Sequence, residues 1–175
     1  MTVEITCTVR GNPPSVPFEK TAKDILKSGY NLSLVLCGDA LSRRINREYS
    51  EAPRSLTPRY QSGVLRSQSA LLRQGFAGFS SLPSSRQAAK YAAKEKKKDY
   101  PANVLSFPLS KHEGEIFLNV RKAEREAKVA GISARARIAL LFIHGCLHLR
   151  GFRHGTAMEK LERNTLKKFG FHPVT

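Results

Sequence analysis

Acidic side chains are scarce in this chain: 14 Asp and Glu stand against 30 Lys and Arg, a net charge of +16 over 175 residues. A field of that sign attracts polyanions and speeds their arrival, which makes RNA or DNA the first partner to consider. Charge alone fits a uniformly basic protein equally well, so a site has to be found beside it. Cysteine is also sparse. Cys7, Cys37 and Cys146 are an odd number without CxxC spacing, which argues against a disulfide scaffold or a thiolate zinc site and makes a reducing cytoplasm the natural home. All three read as buried structural thiols. Long apolar runs are missing too: Arg135, Arg137, His144 and His148 interrupt the best one, so neither a membrane span nor a membrane partner is expected. The start, MTVEITCTVRG, alternates like a strand and lacks the basic and apolar regions of a secretory signal, so it reads as mature sequence.

What is present is an ordinary globular composition, 41% hydrophobic and 25% charged, at a length that fits one domain spanning residues 1–175. Val3, Ile5, Cys7 and Val9 alternate as in a half-buried strand. Phe18, Ala22, Ile25 and Leu26 then recur at helical spacing up to Gly29, and the apolar run from Leu32 to Cys37 suits a central strand. Asp39 is placed to cap the next helix, on which Leu41, Ile45 and Tyr49 share a face.

Residues 50–98 differ in character, with frequent serine, three prolines and ten Lys/Arg facing only Glu51 and Glu95. They read as a basic insertion of low order with helical pieces. Strand-like NVLSFPL (103–109) and GEIFLNV (114–120) follow, then a helix over about 119–130 that ends at Gly131. Ser133 suits the N-cap of a long apolar helix over 134–150, with Gly151 after its end, and a last helix runs from about Thr156 to Phe169 with Met158, Leu161, Thr165 and Leu166 inward.

The chemistry concentrates in HGCLHLRGFRH, residues 144–154. Residues four apart on a helix are neighbours, so His144 and His148 can point at one metal ion, and Gly151 turns the chain so that His154 returns as a third ligand. Three imidazoles leave one position open, which is the mark of a catalytic zinc site, and a water there ionises near neutral pH. A histidine pair on an apolar helix can be two satisfied core residues. The third histidine after a glycine stop favours metal, because burying all three without partners would cost free energy. His112 and His172 read as surface residues. HxxxHxxGxxH is also the metzincin protease spacing, but those enzymes carry a glutamate after the first histidine as general base, and here that residue is Gly145. A zinc protease is therefore a poor alternative.

HGCLHLRGFRH resembles the HGxLHLxGYDH signature of the YbeY family, and NVLSFPL resembles that family's T-[DN]-V-L-S-F-P segment. Ile45-Asn46-Arg47-Glu48-Tyr49 is similar to its L-N-x-x-[YF] helix end, and Gly114-Glu115-Ile116 to its G-D-[IL] strand. The order agrees from residue 3 to the final helix apart from the insertion. The resemblance implies a metal-dependent endoribonuclease of ribosomal RNA maturation and quality control, with a single zinc or another divalent transition metal. RNA, ribosomal RNA first, is then the partner, with the small ribosomal subunit as a further one.

Three departures stand out. The family's aspartate before the last histidine is Arg153, its T-[DN] start is Ala102-Asn103, and the place of its arginine before VLSFP falls on Lys96. Lys96, Lys98 and Arg153 become candidate phosphate contacts, although a lysine lacks the bidentate fork of arginine. The general base is not identifiable; Glu115 and Asp99 are candidates only as acids near the motifs. The expected fold is α+β, a small mixed sheet of about four strands packed by helices, with the metal helix central and a long basic insertion between the second helix and the third strand. A non-catalytic rRNA-binding assembly factor with a structural metal is the alternative, favoured by Arg153.

Overall fold

A computed structural model describes residues 1–11, 15–51 and 99–171. Four strands form one sheet: β1 (Thr2–Cys7), β2 (Asn31–Cys37), β3 (Val104–Ser110) and β4 (Glu113–Asn119), in the order β1-β2-β4-β3. β1, β2 and β4 run parallel and β3 pairs antiparallel with β4, so the sheet is mixed. Five helices are described: α1 (Phe18–Ile25), α2 (Asp39–Glu51), α3 (Val120–Val129), α4 (Ala134–Leu149) and α5 (Thr156–Lys168). The α+β architecture expected from the sequence is the one observed. The stretch read as an insertion, 52–98 in its larger part, lies outside the described residues.

β2 lies between β1 and β4 with both faces in use, which is why its sequence is almost continuously apolar. Leu32, Leu34 and Leu36 point to one face and join Ile116 and Leu118 of β4 beneath α1, α3 and α4. On the other face Val35, Cys37, Phe107 and Phe117 pack with Ile45 of α2. Tyr49 of α2 stacks on Phe107 with ring centroids 3.8 Å apart, so Phe107 has the buried packing role expected of it.

α4 is the core of the molecule. Ile138, Ala139, Phe142, Ile143, Cys146 and Leu147 are all at most 1% exposed and, with Leu141, Gly145 and Leu149 also buried, they leave the face that carries Leu140, His144 and His148 part-buried. Ser133 caps its start, the hydroxyl accepting from Ala136 N at 3.1 Å. Gly151, at φ 93, closes its end: Gly151 N donates to His148 O at 2.8 Å and Phe152 N to Leu147 O at 3.1 Å, the Schellman pattern. No described helix is long and apolar enough to cross a membrane.

Two sequence expectations change. β1 forms as a strand but at an edge of the sheet, and its burial does not alternate: Val3 is part-buried, whereas Ile5 stays 43% exposed and Cys7 is an exposed thiol, unlike the buried Cys37 and Cys146. Burial pushes the Cys37 thiol up to about 12 and also raises that of Cys146. Asp39 opens α2, but its carboxylate serves a different purpose from capping: Oδ1 accepts from Arg125 at 2.8 Å and from Asn119 Nδ2 at 2.9 Å. Those bonds tie α2 to the start of α3 and hold the Asp39 carboxyl below the usual carboxylate range, the Arg125 hydrogen bond contributing most.

Candidate metal centre

α4 and its closing turn bring three imidazoles together. His144 and His148 are one helical turn apart, with ring centroids separated by 4.5 Å, and their Nε2 atoms approach to 3.0 Å. His154 arrives from beyond the Gly151 turn with its ring centroid 5.0 Å from that of His144 and 4.7 Å from that of His148. One ligand atom from each residue falls within 4.8 Å of the others, a group that could hold a metal ion.

The hydrogen bonds around the rings say which atoms face the centre. His148 Nδ1 lies 3.0 Å from Phe152 O; a carbonyl oxygen only accepts, so Nδ1 carries the proton and Nε2 of the neutral ring presents a lone pair. Desolvation, followed by the neighbouring His144, lowers the His148 pKa and favours that neutral form. His144 Nδ1 lies 2.7 Å from Glu162 Oε1, which likewise directs its Nε2 inward. With both outer nitrogens hydrogen-bonded, the two Nε2 atoms face each other at 3.0 Å, an arrangement that suits a cation between them. Imidazole nitrogen suits zinc and its transition-metal neighbours, so the donor set fits the expected ion.

The residue after the first ligand has no room for a side chain. A Cβ on Gly145 would sit 2.9 Å from Ser106 Oγ and 3.1 Å from Ile116 Cδ1, because α4 presses directly onto β3 and β4 there. The position at which a metzincin carries its glutamate is thus packed into the sheet.

Comparison with known proteins decides the family: the model described as Endoribonuclease YbeY matches residues 81–170. The chain belongs to the YbeY family. The match begins inside the stretch read as an insertion. A protein of Gluconobacter oxydans named Endoribonuclease YbeY is 36% identical over 132 residues, 67% of this chain and 79% of that relative. Those of Polynucleobacter asymbioticus and Pseudomonas putida are 40% identical over 96 residues and 43% over 89, covering 50% and 43% of this chain and 62% and 56% of the relatives, the last two below two thirds of their length. A Thermotoga maritima protein solved in solution shares the fold with a TM-score of 0.54, at 15% identity, over 96% of this chain and 89% of its own.

The other residues singled out from the YbeY-like sequence scatter. Glu115 sits on β4 opposite Phe107, and since its neighbour Ile116 faces Gly145 of α4, strand alternation turns Glu115 to the far side of the sheet. It lines a groove of about 540 Å³ together with Thr2, Glu4, Thr6, Ser33 and Glu113. Burial raises its carboxyl above the ordinary value and a hydrogen bond with Ser33 opposes the rise, yet a protonatable acid on that face is not directed at the histidines. Asp99 is exposed and pairs with Arg43 of α2 at 4.0 Å. Neither acid is brought to the three histidines, because the sheet lies between the α2 face and α4.

Arg153 is exposed, directly before His154, in the turn that delivers the third ring. Lys96, Lys98 and His172 lie outside the described residues, and His112 is exposed in the turn between β3 and β4. Sequence reasoning missed Glu162. The signal was available: Met158, Glu162 and Leu166 are spaced four apart on α5, and the outer two are 1% and 7% exposed, so an acid occupies an apolar seam.

Proposed function

We propose that this chain is a metal-dependent endoribonuclease that hydrolyses phosphodiester bonds of ribosomal RNA in the cytoplasm, as one domain, with His144, His148 and His154 holding a single zinc ion. The observation that carries the reading is the convergence of three histidine ring nitrogens within 4.8 Å, two of them oriented by hydrogen bonds to their outer nitrogens. Names of the relatives supply the reaction class, and the +16 charge suits a polyanionic substrate. A divalent ion bound there supplies Lewis acidity for attack of water at phosphorus.

The chain's own residues have defined parts. Phe152 O and Glu162 aim the rings of His148 and His144, Gly145 seats α4 on the sheet, and Arg153 offers a cation beside the third ligand for a flanking phosphate. Lys96 and Lys98 would extend that phosphate track, and the small ribosomal subunit is the natural setting for such a substrate. Metal content, RNA binding and RNA cleavage measured on one purified sample test the proposal. One zinc per chain with cleavage abolished by chelation is expected. RNA binding that survives chelation, with no cleavage at any metal loading, would instead make the protein an rRNA-binding assembly factor with a structural metal.

A further inference from the structure

We infer that Glu162 is a positioning residue for the metal centre: it locks His144 in the tautomer with the proton on Nδ1 and so presents Nε2 to the ion. The inference rests on the reading of the three histidines as a metal site. Glu162 Oε1 stands 2.7 Å from His144 Nδ1, and the two side chains are 15% and 23% exposed. Since an ionised carboxylate has no proton to give, the ring nitrogen donates.

Placement argues against an incidental surface pair. Glu162 interrupts the seam that Met158 and Leu166 pack into the core, and a carboxylate in such a seam is costly unless its partner requires it. It also comes from α5, whereas the rings come from α4 and its turn, so the orientation of His144 depends on a second helix while that of His148 depends on the backbone of its own turn. A carboxylate on the outer nitrogen of a ligating imidazole fixes the ring and raises its basicity as a ligand, and loss of such a partner typically costs about 10–100-fold in metal affinity.

A purely structural ion pair predicts something different, namely a stability change with no change in the tautomer or in the affinity for metal. Glu162→Ala and Glu162→Gln separate the two, the second keeping an oxygen that can accept from Nδ1 while removing the charge. Side-chain nitrogen–proton correlation spectra of the metal-free protein, and zinc affinity by competition with a chromophoric chelator, are the readouts. Expected are an Nδ1–H tautomer for His144 in the parent, its loss in Glu162→Ala with zinc affinity lower by about 10–100-fold, and a smaller loss in Glu162→Gln with the tautomer retained. Parental zinc affinity in both variants, or an Nε2–H tautomer for His144 in the parent, overturns the inference while leaving the metal site standing. A parent that binds no zinc overturns both. Should Glu162→Ala fail to fold, Glu162→Gln decides through its affinity alone.

Discussion

His148 is held at Nδ1 by a carbonyl of the same turn that delivers His154, so ligand and loop are one unit. Replacing His148 by Ala removes a ring nitrogen without disturbing the helix that carries it, and is expected to reduce bound zinc to a trace and abolish cleavage. Thermal unfolding with added zinc gives an independent check: a ligand at 100 times its Kd stabilises the parent by about 2.7 kcal/mol, and His148→Ala should show no such rise. An equal rise in both proteins would mean that zinc binds elsewhere. Glu115 makes the opposite kind of prediction. Its folded pKa is raised by burial, so the stability it contributes is present below the ordinary carboxylate pKa and lost as pH rises through the raised value. Glu115→Gln removes that loss and should raise the melting temperature at pH 7 but have little effect near pH 4, with cleavage unchanged; a collapse of cleavage would return Glu115 to the reaction. At this scale the three histidines were legible because their spacing is itself the geometry. The spacing of α5 marks Glu162 as an acid in an apolar seam, but its partner lies 18 residues away on another helix, and the seam does not name that partner.

Among the elements, α4 bears most of the architecture, and Gly145 is where it comes closest to the sheet. Gly145→Leu places a side chain where a Cβ already meets Ser106 Oγ at 2.9 Å, and overpacking of this kind costs about 1–3 kcal/mol. Denaturant unfolding of the metal-free variant should show that loss, with weakened zinc binding as α4 shifts off β3 and β4. Parental stability would mean that α4 can move off the sheet at this point without cost. Helices and strands were readable where period and caps agreed, as at Ser133, whose hydroxyl does cap α4, and at Gly151, whose positive φ does end it. Asp39 was readable as a residue at a helix start but not as a brace to Asn119 and Arg125, because those partners come together only once β4 and α3 are in place. Exposure of Cys7 was hidden for a related reason. Alternation gives the two sides of a strand, whereas its position at the rim of the sheet is set by pairing order.

At the scale of the whole molecule the excess of 30 basic over 14 acidic residues is the dominant long-range property. RNA binding should therefore weaken steeply with salt, the slope of log affinity against log salt counting the phosphates engaged. Residues 50–98 hold ten of the basic side chains and two acidic ones. Deleting Glu51 to Lys90 is expected to leave zinc binding in place, weaken RNA binding and flatten that slope; an unchanged slope would place the phosphate contacts outside the deleted stretch.

The third ligand depends on a count as much as on a residue type. His148 is fixed by the helical repeat of α4, but His154 reaches the centre only because the chain turns at Gly151, where φ is 93, and covers a set number of residues before the ring. One residue inserted between Phe152 and His154 would carry that ring past its partners while leaving all three histidines in the sequence. The opposite side of the sheet has no such constraint at the return of the long basic stretch, where Ser42 holds Ala102 O at 2.8 Å and Asn46 holds Tyr100 O at 3.0 Å whatever length precedes them. Insertions and deletions should accordingly be tolerated between Glu51 and Asp99 and excluded between His148 and His154. A chain can keep every ligand and still have lost its site, and the length of this short turn is what distinguishes the two cases.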